Sequence, residues 1–359
     1  MTRINVTKTF LPPIEEYEAY LEKIWSDGQL TNQGPLLQEF ENKTKAYLGT
    51  ENFHFVSNGT IALQLALRAL NITDGEIITT PFSYVATASS IIWERCTPVF
   101  VDIDSDTLCI DPAIIEQAIT PHTRAIMPVH VFGIACDIEA IENIAKKHNL
   151  RTIYDGAHAF GAKYKQKALL SYGDISTCSF HATKLIHTIE GGGIITKDEG
   201  VSDKVELIKR FGHNYDDHVT LGINAKATEF QAAMGLANLK YLDENIAKRR
   251  QISELYDSLL GSIVRQPNYG ETERNYAYYP VIFENESQLN LVTESLNKRD
   301  IYPRRYFFPS LNTLPYLEGY VECPVSEDIA TRILCLPLYP DIGDDVVREV
   351  SRVIEGCLA

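Results

Sequence analysis

The chain has 359 residues, 45% of them hydrophobic, enough for about two domains with a large core. Its 33 lysines and arginines against 48 aspartates and glutamates leave a net charge of −15, which argues against nucleic acid or an anionic membrane as partner; any anionic substrate must be met by local positive groups. Seven scattered cysteines without metal-type spacing point to reduced thiols in a cytoplasmic protein, and neither an apolar signal core in MTRINVTKTFLPP nor a bilayer-length apolar run is present.

In chain order, hydrophobic spacing predicts a first amphipathic helix with Ile14, Tyr17, Leu21, Ile24 and Trp25 on one face, and a second from Pro35 to Gly49. The polar loop between them, Gly28 to Gly34, reads equally as plain connection or as the lining of a site. Then the pattern alternates: strand Phe53–Val56, helix Thr60–Leu70, strand Glu76–Thr80, helix Val85–Glu94, strand Pro98–Asp102, helix Pro112–Ile119. It continues through Ala125–Val131, helix Ile138–His148 and strand Arg151–Tyr154. Such alternation predicts an α/β fold, a mostly parallel sheet flanked by helices. Strand Asp174–Phe180 and a strand opening at Gly193 bracket a loop that carries Lys184, with the flexible Glu190–Gly193 run before the second. A long helical stretch from Thr228 to about Leu260 follows, then a mixed segment with Tyr276–Phe283, a helix near Gln288–Asn297 and a last helix from about Asp344. The expected division falls inside the long helix, giving a large domain of residues 1–240 and a smaller C-terminal α+β domain of residues 241–359.

Ligands of open parallel α/β sheets gather at the carboxyl ends of the strands, so the residues just after each strand are the candidates for chemistry. Ser57-Asn58-Gly59-Thr60 joins a strand to a helix start, where free amides and the positive helix end favour a phosphate; ordinary N-capping explains the same residues. Tyr84 sits at a strand-to-helix turn and would either stack on a flat ring or join the core. Asp155 closes an apolar strand, a costly place for a carboxylate unless it meets a cation, an ion-pair partner or a helix start. Asn224 and Thr228 precede a helix, where capping is the default reading. Lys184, among Ser179, His181, Thr183 and glycines, suits a Schiff base with an aldehyde cofactor, although a lone lysine is ordinarily a surface residue.

A phosphate cradle, a stacking aromatic, a buried aspartate and a loop lysine together describe how a protein holds pyridoxal 5'-phosphate. With the Leu30-Thr31-Asn32 loop, Asp155-Gly156-Ala157-His158, Ser179-Phe180-His181-Ala182-Thr183-Lys184, Glu190-Gly191-Gly192, Asn224 and Cys335-Leu336-Pro337-Leu338-Tyr339, the chain resembles the DegT/StrS-type sugar aminotransferases of fold type I over nearly its whole length. The Phe10-Leu11-Pro12-Pro13 segment and the run Arg304 to Asn312 make it most similar to members that aminate a dTDP-linked 4-keto-6-deoxyhexose at C4.

The resemblance implies a homodimer with shared active sites that uses L-glutamate and a nucleotide-linked ketosugar. It implies that Lys184 bonds the cofactor aldehyde and shuttles protons, that Asp155 pairs with the pyridine nitrogen, that Tyr84 stacks on the ring, and that Gly59, Thr60 and Ser179 hold the phosphate. Asn224 would reach that phosphate from the neighbouring subunit. His158 stands where many members have glutamine beside the ring hydroxyl, and Lys226 where arginine is common; Lys226, Arg304 and Tyr306 are the candidate substrate contacts. Amination at C3 and a cofactor-binding regulatory protein are the alternatives. The dehydratase branch, which has histidine in place of the lysine, is opposed by Lys184, and an NAD-dependent oxidoreductase by the lack of G-x-G-x-x-G after the first strand.

Overall fold

The computed structural model describes residues 3–317 and 319–359. A seven-stranded sheet runs in the spatial order Asn52–Val56, Gly192–Thr196, Ile175–Ser179, Arg151–Asp155, Thr123–Met127, Glu76–Thr79, Thr97–Phe100. Six strands point one way and Gly192–Thr196 alone runs against its neighbours. Successive side chains along a strand face opposite sides, so adjacent residues feed two cores: Ile78, Ile126, Tyr154 and Ile195 on one face, Ile77, Ala125, Ile153 and Ile194 on the other. This double burial is why these strands read as nearly continuous apolar runs. A third cluster, drawn from Ile252 to Ile354, surrounds the antiparallel pair Tyr279–Ile282 and Ile333–Leu336. The short strand Ile4–Asn5 pairs in parallel with Ile301–Tyr302.

Register decides where the site lies. Gly192 is paired with both Val56 and Ser179, and Asp155 lies beside Thr177, so the turns that leave Val56, Asp155 and Ser179 all emerge at one edge of the sheet. The helices behind the strands form where local signals ask for them. Ile138–His148 begins at Asp137, whose carboxylate accepts from the Ala140 amide at 3.0 Å, and ends at Asn149 in the left-handed region. The last helix, Asp344–Leu358, buries Val347, Val350, Ser351 and Ile354 at helical spacing, each large apolar side chain contributing about 1.5–3 kcal/mol.

Four expectations are corrected. The first helix, Ile14–Asp27, buries Tyr20 and Ile24 with Tyr17 and Leu21 packed beside them, whereas Ile14 is exposed and Trp25 is 72% exposed. Trp25 follows Ile24 by one residue, a step of about 100° around the axis, so both cannot occupy one narrow stripe. The long helix is two helices, Glu229–Leu239 and Leu242–Leu260. In the last turn of the first the buried Asn238 side chain bonds to the Met234 and His187 carbonyls at 3.1 Å each, and between the two Lys240 and Tyr241 both turn to Glu16. The glycines after Glu190 are not a flexible run: Gly192 and Gly193 lie in the strand and all three are buried. A Cβ would collide with Thr188 Oγ1 at Gly191, with the Asn58 carbonyl at Gly192 and with the Phe53 ring at Gly193. Finally, periodicity does not predict helices Glu199–Ile208 and Pro324–Arg332. The second is capped from afar, Asp102 accepting from the Val325 and Ser326 amides at 2.8 and 2.9 Å.

Candidate active site

At the carboxyl edge of the sheet lies a cavity of about 590 Å³ whose lining includes Gly59, Thr60, Tyr84, Asp155, His158, Ser179, Lys184, Arg304 and Tyr306. These nine of the eleven residues singled out in the sequence come together here. Asn224 and Lys226 do not line it: Asn224 is exposed and accepts from Lys226 Nζ at 2.7 Å. The capping explanation of Asn224 fails as well, because the next helix is capped by Thr228, in a reciprocal capping box with Gln231.

The wall beneath the cavity is built from two turns that touch. Asn58 caps helix Gly59–Ala69, its Oδ1 accepting from the Ile61 amide at 2.9 Å, which leaves the Gly59 and Thr60 amides at the helix start without intrahelical acceptors. A Cβ on Gly59 would stand 3.0 Å from Ser179 Cβ, so glycine allows the helix start to approach the Ser179 hydroxyl. The Ser57 amide is tied to the Ala225 carbonyl at 2.9 Å, which fixes the turn from the other side. Beyond Ser179 the loop folds back on itself: the Lys184 amide bonds to the His181 carbonyl at 2.9 Å and the Thr188 amide to the Phe180 carbonyl at 2.9 Å. Lys184 is therefore held by a closed loop between two sheet strands.

The electrostatics of the floor follow from burial. Asp155 is 4% exposed, and its carboxylate accepts from Thr87 Oγ1 at 2.8 Å and from the Ala157 amide at 3.0 Å. Burial pushes its carboxyl above the usual range, while those two hydrogen bonds and the charge of Lys184 pull it back toward ionisation. Among the described residues no lysine or arginine comes within ion-pair distance of it, Lys184 acting only through its charge, and it ends a strand rather than capping a helix, so neither ordinary explanation accounts for it. Burial lowers the Lys184 ammonium to about 8, partly opposed by the charge of Asp155. His158 is buried, and burial, with the charge of Lys184 adding to it, drives its imidazole well below its usual value. The neutral ring accepts at Nδ1 from the Phe132 amide at 3.3 Å, which leaves Nε2 as the protonated nitrogen. It is layered parallel to Phe132 and Phe307 and touches Tyr278, ring centres 4.7 Å apart.

Toward solvent the wall is aromatic. Tyr84 is 58% exposed, so it is not core as one reading allowed. Tyr278 packs edge-on against Tyr306, ring centres 5.5 Å apart, and Arg304 stands 5.0 Å from the Tyr306 ring centre. Sequence reasoning missed Thr87 and Tyr278. Thr87 lies in the first turn of the helix that follows Tyr84, close enough in sequence to have been examined with it; nothing local marks Tyr278, which arrives from the C-terminal part of the chain.

Residues 13–355 match the DegT/DnrJ/EryC1/StrS aminotransferase family. A dTDP-4-amino-4,6-dideoxy-D-glucose transaminase of Escherichia coli is 40% identical over 98% of both chains, and a GDP-perosamine synthase of Escherichia coli O157:H7 is 35% identical over 93% of both. Among solved structures, DesI, crystallised in the presence of its TDP-sugar product, superposes with a TM-score of 0.94 at 31% identity, over all of this chain and 93% of that one. With the sheet, the lysine loop and the convergent cavity in place, the chain belongs to the DegT/DnrJ/EryC1/StrS aminotransferase family, and its fold is that of the fold-type I transferases.

Proposed function

We propose that the protein transfers the amino group of L-glutamate to C4 of a dTDP-linked 4-keto-6-deoxyhexose, forming dTDP-4-amino-4,6-dideoxyglucose with pyridoxal 5'-phosphate bound in the cavity. The observation that carries this reading is the meeting of Lys184, Asp155, Ser179 and the Gly59–Thr60 helix start in one cavity. The name of the 40%-identical relative supports the choice of sugar and nucleotide. The residues present fit the cofactor: two free amides at a helix start beside a serine hydroxyl suit a phosphate, and a buried carboxylate without a cationic partner suits a protonated ring nitrogen.

When bound, the cofactor supplies an aldehyde that accepts amines and a ring that withdraws electrons. The chain supplies the rest. Gly59, Thr60 and Ser179 would bind the phosphate, and Asp155, whose ionised form is favoured by the bonds from Thr87 and the Ala157 amide against the effect of burial, would pair with the protonated ring nitrogen. Tyr84 would lie over the ring. His158 presents an Nε2–H donor, so it can serve the ring hydroxyl as a glutamine amide would. Lys184 would attach to the aldehyde carbon and, once displaced by the donor amine, take a proton from the donor carbon and later return one to the sugar carbon. A value near 8 leaves a working fraction of neutral amine at neutral pH. Arg304 and Tyr306 would contact the sugar nucleotide, and Lys226, outside its own chain's cavity, would reach it from the second subunit, as Asn224 would reach the phosphate.

Incubation with glutamate and dTDP-4-keto-6-deoxyglucose should release 2-oxoglutarate and give a product whose NMR spectrum places the new amine on C4. An amine at C3 would replace the regiochemistry, and no 2-oxoglutarate at all would favour a regulatory protein.

The assembly we favour is a homodimer with shared sites. Asn224 lies outside its own cavity, and the neighbouring Phe211, Tyr215, Val219, Leu221 and Ile223 are exposed, an apolar surface that suits a second subunit. Asn224 would then serve the partner's phosphate. Lys184→Ala and Asn224→Asp chains should each be nearly inactive alone, yet regain activity when coexpressed, because a mixed dimer holds one intact site. Isolated mixed dimers as inactive as their parents would place Asn224 at its own chain's site or nowhere. We also assign residues 1–240 and 241–359 to a large and a small domain, divided at the break near Lys240, and place the protein in the cytoplasm on its seven free cysteines. No helix among the described residues is long and apolar enough to cross a membrane.

A further inference from the structure

Arg304 and Arg305 are consecutive but stand in opposite circumstances. Arg305 is taken up by structure: it donates to Glu286 at 3.0 Å and to the Ala330 and Thr331 carbonyls at 3.3 and 3.0 Å, with its guanidinium 3.6 Å from the Phe308 ring centre. Arg304 instead lines the cavity. Its backbone is pinned to buried Cys335 by hydrogen bonds of 3.1 and 2.8 Å, and its guanidinium lies over the Tyr306 ring. Among the described residues no carboxylate is within ion-pair reach of it. Lys184, the lysine of the lining, forms no ion pair among them either and is the group that would bond the cofactor aldehyde in the proposed reaction. Arg304 is thus a permanently charged guanidinium in the cavity lining of a strongly acidic chain, with no carboxylate paired to it among the described residues.

We infer that Arg304 is a shared anion anchor, receiving a carboxylate of the amino donor in one half of the reaction and the diphosphate of the nucleotide sugar in the other. Given the transamination proposed above, on which this assignment rests, both substrates react at the carbon served by Lys184 and must occupy the cavity in turn. A dicarboxylic amino acid and a nucleotide sugar have little in common except an anion set away from the reacting carbon. A guanidinium offers a planar fork that matches carboxylate and phosphate alike, which a lysine does not. The Tyr306 ring beneath it steadies the group without neutralising it, so the charge stays available to whichever anion arrives. Pinning of the backbone to Cys335 keeps the fork at a constant place between the two halves of the reaction.

The test is equilibrium binding to the cofactor-loaded protein with thymidine diphosphate and with glutarate, an unreactive dicarboxylate. In the wild type each should bind and each should exclude the other. Arg304→Met should weaken both by roughly tenfold or more, the scale of a lost charge-assisted hydrogen bond, with the thermal midpoint little changed. Arg304→Lys should retain part of both affinities. Simultaneous binding of the two probes to the wild type, or loss of only one or neither in Arg304→Met, overturns the assignment. Should Arg304→Met fail to fold, the wild-type competition and Arg304→Lys decide. A wild type that never converts glutamate to 2-oxoglutarate defeats the transaminase reading itself; one that does, while binding both probes together, defeats only the role of Arg304.

Discussion

Lys184→Ala is expected to lower both half-reactions by about 10³-fold or more while leaving the cavity able to bind the cofactor. General acid–base transfer alone is worth about 10²–10⁴-fold, and this one amine is asked to move a proton in each half. The effect belongs to Lys184 in particular because no other lysine among the described residues lines the cavity. Its loop is closed by backbone hydrogen bonds on both sides, so alanine should not unfold it. The wild type supplies the control: treatment with borohydride followed by peptide mapping should find the pyridoxyl group on Lys184, and label on any other lysine would refute the assignment. The pH dependence has a fixed sign. With the free ammonium near 8, the neutral amine increases as pH rises through that value, so capture of pyridoxal phosphate by the cofactor-free protein should accelerate from pH 7 to about 9 and then level off. In Lys184→Ala that pH dependence should vanish.

Asp155→Asn is the second substitution expected to be severe, slowing the glutamate half-reaction by about 10²- to 10³-fold, since breaking a buried charge pair costs about 3–5 kcal/mol. An amide keeps the size of the side chain and can still accept through one oxygen, so the bonds from Thr87 and the Ala157 amide are partly kept and the fold should survive. The loss is of the negative charge that would hold a proton on the ring nitrogen. Stopped-flow absorbance of the glutamate half-reaction, read beside circular dichroism, separates the two effects. A wild-type rate in Asp155→Asn would show that the carboxylate has another purpose. Thr87→Val gives a milder version of the same test, because it removes one hydrogen bond that favours the ionised carboxylate and leaves the charge itself in place.

Much of this molecule is legible in its sequence because the signals are local. Strand–helix alternation from Phe53 to Asp155 predicts a parallel sheet, since a chain that buries both faces of its strands has to return by helices. Ser57-Asn58-Gly59-Thr60, Asp155 and Lys184 stand out because each lies at or after the end of a strand, and parallel strands deliver the residues at their carboxyl ends to one edge. Other features depend on residues that are far apart in sequence. Helix Pro35–Leu48 has no side-chain cap of its own at its N-terminus; the buried Glu229 carboxylate accepts from the Leu36 and Leu37 amides at 2.8 and 2.9 Å, and Gly34 leaves room for it. Helix Pro324–Arg332 likewise borrows Asp102. The glycines after Glu190 look flexible in the sequence, yet they are small because Phe53, Asn58 and Thr188 press on them. Periodicity also cannot distinguish Arg304 from Arg305, or bring Tyr278 to His158. The sequence by itself determined the order of the elements and which residues sit at their ends, where dihedral preference, periodicity and capping act within a few residues. Only the tertiary structure decided which charges are matched, which glycines are crowded and which walls close the cavity, because those depend on desolvation and contact between segments that the chain brings together last.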